Sequence, residues 1–547
     1  MRKTSSMLGR PLRGYSLAFA VAMVAAIAVT AAVVRFSSAS TATGNGGTAG
    51  HQGASLPVRH VAAAHRAVHL PAGSIVLRLP QETWPRVIPA GFLGTGVEYE
   101  TFERYAGDNA NAVDPVFEQL IRNLSPGQAP QLRIGGDTSD WAWWPVPGMA
   151  TPPTVTFSLT PKWVNVARTF VQAVGARLIL GINIKADSVP VAVTMSQHLL
   201  AGVGERSIEA LELGNEPDIL SSFGGYPTAP GPGAHPYNFG VFRQAFTQIA
   251  GAMPRFAVAG PAFTGTKWFS HFGTFLADEP RLTLATVHAY PLGACGRRTS
   301  PGFPSVRNLL SAGATYGLAR RTVPWITAAH HHGLPIRIDE TNASPCPGAA
   351  KVIRTFAESL WALRWLFELA SVGADGVNVQ TTAAATDDLF TPTLGGSDWQ
   401  AAVQPEYYGL LMFAQAAPPG ARLVRLSKSG TAQVQAWATR ATNGTLRVVI
   451  MNLGTHTHSV ALDARTASNA GTLERLEGSS LRTQYGMRLG GQTFGSETST
   501  GRLAGQRRTA TVRSEGGYYF VGLPALSAAM LTVPSRAKLT MTADCHC

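Results

Sequence analysis

A chain of 547 residues that is 45% apolar and only 14% charged buries a large core, which excludes both an intrinsically disordered protein and a lone small domain. The formal net charge of +13 favours an anionic partner. The basic residues are scattered, with no Lys or Arg run longer than a pair, which argues against nucleic acid as that partner.

Arg2, Lys3, Arg10 and Arg13 precede an apolar run from Leu17 to Val34, followed by Arg35 and the small residues Ser37-Ser38-Ala39-Ser40. Residues 1–36 therefore read as an export segment, with cleavage and retention as an N-terminal membrane anchor both open. The flanking positive charge keeps that end cytoplasmic and puts the bulk of the protein outside the cell. Residues 37–67, rich in Ser, Thr, Ala, Gly and His, read as a disordered tether. Residues 68–90 hold extended segments such as Ser74 to Leu79, punctuated by Pro71, Pro80, Pro85 and Pro89, and are expected to join a later β domain.

From 91 to 416 strand-like and helix-like patterns alternate. The strand candidates are Phe92–Glu98, Gln131–Ile134, Arg177–Ile184, Ile208–Leu213, Phe256–Gly260, Leu284–His288, Pro335–Asp339 and Gly376–Gln380. Apolar residues at three- and four-residue spacing give helices at Val116–Asn123, Trp163–Val174, Val189–Leu200, Phe239–Met253, Lys267–Leu276 and Val352–Ser371. Eight such units predict an α/β fold, a (β/α)8 TIM barrel. Beyond it, from 417 to 534, short strands at Gln433–Ala438, Leu446–Met451, Ser459–Leu462, Thr509–Val512, Tyr518–Val521 and Ala528–Val533 predict an accessory C-terminal β-sandwich. Residues 535–547 form a tail whose Cys545 and Cys547 suggest no particular role.

The barrel strands end on hydrogen-bonding residues: Glu98, then Arg133 and Asp137, Asn183, Asn215 and Glu216, His288 and Tyr290, Asp339 and Glu340, and Gln380. A ring of polar groups at one barrel face is costly without a ligand. Its centre is two stretches. In Ile208 to Asp218 an apolar strand stops at Gly214-Asn215-Glu216-Pro217, and in Gly333 to Asn342 another stops at Asp339-Glu340. Carboxyl groups on strands four and seven face each other across the barrel mouth, the arrangement of glycoside hydrolysis; a separation of about 5–5.5 Å gives the retaining route.

Leu211-Glu-Leu-Gly-Asn-Glu-Pro217 and Ile338-Asp-Glu-Thr-Asn342 resemble the acid/base and nucleophile motifs of clan A retaining glycosidases. The pattern is most similar to glycoside hydrolase family 79, the β-glucuronidases and heparanase. Leu132-Arg-Ile-Gly-Gly-Asp137, Val287-His-Ala-Tyr-Pro291, Trp361-Ala-Leu-Arg-Trp365, Gly373-Ala-Asp-Gly-Val-Asn378, Glu406-Tyr-Tyr-Gly-Leu410 and Ser480 to Gln492 extend the likeness over about residues 68–534. The resemblance implies Glu216 as general acid/base and Glu340 as nucleophile. It implies a hydrogen bond from Asn215 to the sugar 2-hydroxyl and from Tyr290 to the nucleophile, Arg133 beneath the nucleophile, and Glu98 on sugar hydroxyls. Asp137, Asn183, His288 and Gln380 complete the expected substrate-binding set, with β-linked glucuronic acid as the substrate. Two departures bear on the uronate pocket: strand eight ends Asn378-Val-Gln-Thr381 where a His-containing turn is usual, and Asp137 stands where Asn is common. A clan A glycosidase for a neutral sugar, of arabinofuranosidase or xylosidase type, and a noncatalytic polysaccharide-binding surface protein are the alternatives.

Trp141-Ala-Trp-Trp144 reads equally as a sugar-stacking platform or as a loop plugged into the rim. His330-His331-His332 before Gly333 reads as a helix end, and no spaced Cys/His set suggests a metal; no cofactor is expected. Cys295 and Cys346, in the loops after strands six and seven, are expected to pair as a disulfide beside Glu340.

Overall fold

The computed structural model describes residues 70–80, 86–219, 237–383, 385–393, 398–430, 433–464 and 468–535. The export segment, the tether and the Cys545/Cys547 tail lie outside them. Among the described residues no helix is long and apolar enough to cross a membrane.

Eight parallel strands close into a barrel in chain order: β1 (Leu93–Glu98), β2 (Gln131–Gly135), β3 (Arg177–Ile182), β4 (Ile208–Leu213), β5 (Val258–Phe263), β6 (Leu282–His288), β7 (Ile336–Thr341) and β8 (Gly376–Gln380). Helices cover the outside, so most strand residues are buried on both faces, which is why they read as apolar runs and not as alternating patterns. The Pro161–Val174 helix illustrates the local logic. The Thr160 side chain caps it by accepting from Trp163 N at 3.1 Å, Pro161 occupies its first turn, Trp163, Phe170 and Val174 face the core, and Gly175 at φ 73° ends it.

Two boundaries differ from the sequence reading in ways that matter. Strand β5 does not stop at Gly260 but runs on to Phe263: its pairing with β6 shifts register between Pro261 and Phe263, and this irregularity carries the strand past a proline that reads as a stop. Strand β7 ends two residues later than expected, and its register against both neighbours shifts between Ile338 and Thr341. The His330 run does close a helix, Tyr316–His331, whose internal Pro324 hides its length in the sequence.

The β-rich C-terminal region is one continuous eleven-stranded sheet folded over an apolar core that includes Val448, Ile450, Leu462, Val521 and Leu531. Ile75–Arg78 joins it, parallel to His458–Asp463 and antiparallel to Ser427–Lys428, as its position before the barrel suggested. The strand Ala470–Glu477, missed in the sequence because Glu474 and Arg475 break its apolar pattern, pairs with Ser527–Val533.

The excursion that follows this strand returns to the barrel. Leu481 and Thr483 carbonyls accept from Ala357 N at 3.0 Å and Phe356 N at 2.8 Å, capping the helix Phe356–Val372. Further along, Phe494 packs edge-on against Tyr407 and Tyr408, and the Gly501 carbonyl accepts from Asn123 at 2.7 Å. Beneath it the helix Pro405–Ala416 approaches Phe356–Val372 so closely that a Cβ at Gly409 would lie 2.1 Å from the Ser359 carbonyl oxygen. No other residue fits there.

Cys295 and Cys346 form a disulfide with Cα atoms 5.3 Å apart, joining the loops after β6 and β7 across 51 residues of chain. Replacing both cysteines by serine is expected to destabilise the protein by about 2–4 kcal/mol. Guanidinium unfolding of the double variant beside the native chain measures this, and an unchanged midpoint would show that the loops hold themselves.

Candidate active site

The site grows from a buried arginine. Arg133, in mid-β2, has no solvent exposure, and its guanidinium meets groups from β4, from the loop after it and from β7. Nε lies 2.7 Å from Glu212 Oε2 on β4 and 3.3 Å from Asp339 Oδ2 on β7. Nη1 donates to Glu340 Oε2 at 2.6 Å, and Nη2 donates to Asn215 Oδ1 at 3.0 Å. Neighbouring strand residues ordinarily point to opposite faces; the irregularity at the end of β7 lets both Asp339 and Glu340 reach the same guanidinium.

Glu340 is also held by the Tyr290 hydroxyl, which donates to Oε1 at 2.9 Å. Burial pushes the Glu340 carboxyl up, but the charges of His288 and Arg133 and the hydrogen bonds from Arg133 and Tyr290 outweigh it, so Glu340 lies below the usual carboxylate range. It is an anion aimed by two donors.

Glu216 follows Gly214, at φ 79°, and itself adopts φ 45°, a left-handed conformation uncommon outside glycine. Its N–H donates to the Ala262 carbonyl at 3.1 Å, and two residues on, Asp218 accepts from Thr264 N and Gly265 N. The loop after β4 is thereby tied to the loop after β5, which fixes the turn that lifts Glu216 into the mouth. His288 Nδ1 lies 2.9 Å from Glu216 Oε1. Suitable oxygens of Glu216 and Glu340 and a ring nitrogen of His288 all lie within 4.8 Å of one another.

That trio is the one group among the described residues with the composition of a metal site. Burial disfavours the charged ring of His288, yet Glu340, Asp339 and the hydrogen bond to Glu216 raise its pKa to about 9. At that value the imidazole is a cation at neutral pH, lying beside both carboxyl groups.

Around this centre the remaining expected residues divide. Asp137 accepts from Asn215 Nδ2 at 3.2 Å, and burial, with Glu216 and Glu340 adding, raises it to about 8, which favours the uncharged acid at neutral pH. Glu98 accepts from Thr138 N and from Gln380 Nε2, each at 2.9 Å, leaving Gln380 Oε1 buried without a donor. Asn183 does not reach the mouth. Its amide donates to the Asp140 and Ala142 carbonyls and its oxygen accepts from Ala186 N, so it braces the loop after β2 and is corrected from a sugar ligand to a structural residue. Arg133 and His288 also have no exposed surface and act from beneath, not by touching a sugar.

Trp143 is buried with its indole N–H on Ser158, and Trp144 stacks on His198 at 3.9 Å, so these two plug the rim. His330 Nε2 lies 2.8 Å from Asp375 Oδ2, a tie between a helix end and the start of β8.

Several residues of the site carry no strand-end signal in the sequence. Asp140 accepts from Ile184 N, Lys185 N and Asn215 N, joining the loops after β2, β3 and β4. Asp387, in the loop after β8, faces Glu340 and Tyr290, and burial, with Asp388 and Glu340 adding, raises it to about 7. Only the Asp387-Asp388 doublet offered a hint of it.

The charges make a stability prediction. His288, raised from 6.5 to about 9, contributes stability that is complete below pH 6.5 and is lost as pH rises through 9. Glu212 lies at about 2 because Arg133, Asp339 and His288 outweigh the upward push of burial; its contribution is complete above 4.5 and is lost as pH falls toward 2. Asp137 and Asp387, raised to about 8 and about 7, also lose stability as pH rises toward those values, so the His288 share is read above them: thermal unfolding from about pH 8 to 10 should show a decline that is smaller in His288→Gln. An identical decline in that variant would place the titration elsewhere.

No protein-family model matches the chain, and no curated protein matches it either. Solved structures do. A 4-O-α-L-rhamnosyl-β-D-glucuronidase from Fusarium oxysporum 12S superposes with a TM-score of 0.67 at 18% identity, covering 84% of this chain and 100% of its own. The GH51 arabinofuranosidase of Xanthomonas axonopodis pv. citri gives 0.57 at 13% identity, covering 84% and 99%. A family 51 α-L-arabinofuranosidase of Bifidobacterium longum gives 0.56 at 14% identity, again covering 84% and 99%. At these identities the likeness is one of fold, and the fold shared is the closed (β/α)8 barrel.

Proposed function

We propose that this chain is a retaining glycoside hydrolase that cleaves β-linked glucuronic acid from glycans or glycoconjugates. The observation that carries the reading is the pair Glu216 and Glu340, with oxygens within 4.8 Å of each other, close to the spacing of about 5–5.5 Å at which the second carboxylate is itself the nucleophile. Inverting pairs stand farther apart, about 6.5–9.5 Å.

In the first step the Glu340 carboxylate attacks the anomeric carbon while Glu216 gives its proton to the departing glycosidic oxygen. In the second, Glu216 takes a proton from water, whose oxygen attacks the anomeric carbon and releases Glu340. Arg133 and Tyr290 hold Glu340 ionised and aimed. Asn215, anchored by Arg133 and Asp137, has an amide hydrogen left for the sugar 2-hydroxyl. The N-terminal apolar segment supports export to the cell exterior, where such glycans lie.

Glucuronide as the glycone is supported by the motif resemblance, by the overall positive charge and by the glucuronidase among the structural likenesses. A neutral sugar is the second reading: Glu98, Asp137 and Asp387, close to the two catalytic carboxyl groups, are all pushed up by burial, and a protonated acid donates to a neutral sugar hydroxyl as readily as to a sugar carboxylate.

Hydrolysis of aryl β-glucuronide beside aryl β-glucoside, β-xyloside and α-arabinofuranoside tests both readings, with the first product anomer followed by proton NMR. Retention at the glucuronide is expected. Glu340→Ala should abolish turnover, and Glu216→Ala should lower kcat by about 10²–10⁴-fold on poor leaving groups, with azide restoring turnover of activated aryl glycosides, whose second step limits. Inversion would overturn the mechanism; preference for a neutral sugar would keep it and replace the glycone.

A further inference from the structure

Below the two catalytic carboxyl groups lies a second pair that the reaction does not use. Glu212 on β4 and Asp339 on β7 are both fully buried, and both lean on Nε of the same Arg133, at 2.7 and 3.3 Å. Glu212 Oε1 and both oxygens of Asp339 accept no well-formed hydrogen bond among the described residues, the nearest cations to Asp339 being Arg133 Nε at 3.3 Å and His288 Nε2 at 3.7 Å, and the two carboxyl groups converge on the one Nε. Two dry carboxylates in contact repel, and three orphaned acceptors at the centre of an otherwise satisfied cluster are costly. A single proton between the two groups removes both problems.

We propose that Glu212 and Asp339 form a hydrogen-bonded acid pair sharing one proton, seated on Asp339, and that this pair acts as a positioning device setting the place and charge of Arg133 and, through it, of Glu340. The inference rests on the glycosidase reading only for its consequence in catalysis.

A proton on Asp339 also spares the floor a further buried negative charge beside Glu212 and Glu340, which already meet Arg133. The other titratable groups facing the pair are Tyr99, which follows β1 and feels both Glu212 and Arg133, and Arg337, which feels Asp339 from within β7. Glu216 acts at one remove, through His288. Burial, then the neighbouring Glu212 charge, pushes Asp339 well above its ordinary value, while Arg133 holds Glu212 ionised against its burial. The two members are driven apart, as in other carboxyl pairs that hold one proton.

The pair predicts a pattern of substitution that simple packing does not. Asp339→Asn mimics a neutral acid and can still donate to Glu212, so kcat on the aryl glycoside should fall by no more than about tenfold with KM unmoved. In Glu212→Gln the charge passes to Asp339, which must then ionise, so the acid limb of the kcat/KM profile should move. The double variant leaves Glu340 as the one carboxylate on Arg133, so the guanidinium shifts off its floor and draws Glu340 with it, and kcat should fall by about 10²-fold beyond the sum of the singles.

The direct reading is the infrared carbonyl band of a protonated carboxylic acid in the native-minus-Asp339→Asn difference spectrum of the full chain, with thermal melts establishing that each variant is folded. The band is expected. Its absence, or a folded Asp339→Asn as inactive as Glu340→Ala, or strictly additive losses, would overturn the pair. The infrared measurement needs no substrate, so a protein that shows the band yet hydrolyses nothing would discard the glycosidase reading and keep the shared proton.

Discussion

Burying a guanidinium in the middle of a barrel is the constraint from which the rest of this site follows. A fully desolvated cation must have its donors taken and its charge matched, and Arg133 does both by drawing groups from three other elements: Glu212 in β4, Asn215 after it, and Asp339 with Glu340 in β7. Each of these is then fixed as firmly as the barrel wall. Removing one partner would leave the others uncompensated in a medium that solvates charge poorly, so the cluster stands or falls as a unit.

The mouth above this floor is built by loops that carry few regular elements and are instead tied to one another by carboxylates accepting backbone N–H groups. Asp140 joins three loops and Asp218 joins two. The left-handed turn at Glu216 is held between these ties, and the disulfide from Cys295 to Cys346 closes the side nearest β7. Preorganisation of this kind lets a site meet developing charge without rearranging at the moment of reaction.

Much of this was legible in the amino-acid sequence, because a buried strand that halts at a polar residue leaves an abrupt local change of pattern. Ile208 to Glu216 and Ile336 to Glu340 announce themselves so, and the eight-fold alternation gave the barrel. What stayed hidden depends on geometry between strands. Glu212 reads as one polar residue inside an apolar strand, and nothing in Ile338-Asp339-Glu340 reveals the irregularity that turns two successive side chains toward one arginine. Pro261 read as the end of a strand that in fact continues. Asn183 and His288 share the strand-end position of true ligands, and only the surrounding loops show that they brace the site or lie beneath it. Asp387 sits in a loop with no periodicity to read.

The excursion after Ala470–Glu477 bears on how the chain can be divided. By supplying the carbonyls that satisfy the first amides of the helix Phe356–Val372, and by wedging Phe494 against two tyrosines of the helix Pro405–Ala416, it makes the β-rich region part of the barrel's own hydrogen-bond accounting. With Ile75–Arg78 contributed from the other end of the chain, no single cut separates the barrel cleanly from the β-rich region. Exchanging everything after residue 417 for a foreign module would leave open helix ends and an unpaired strand behind.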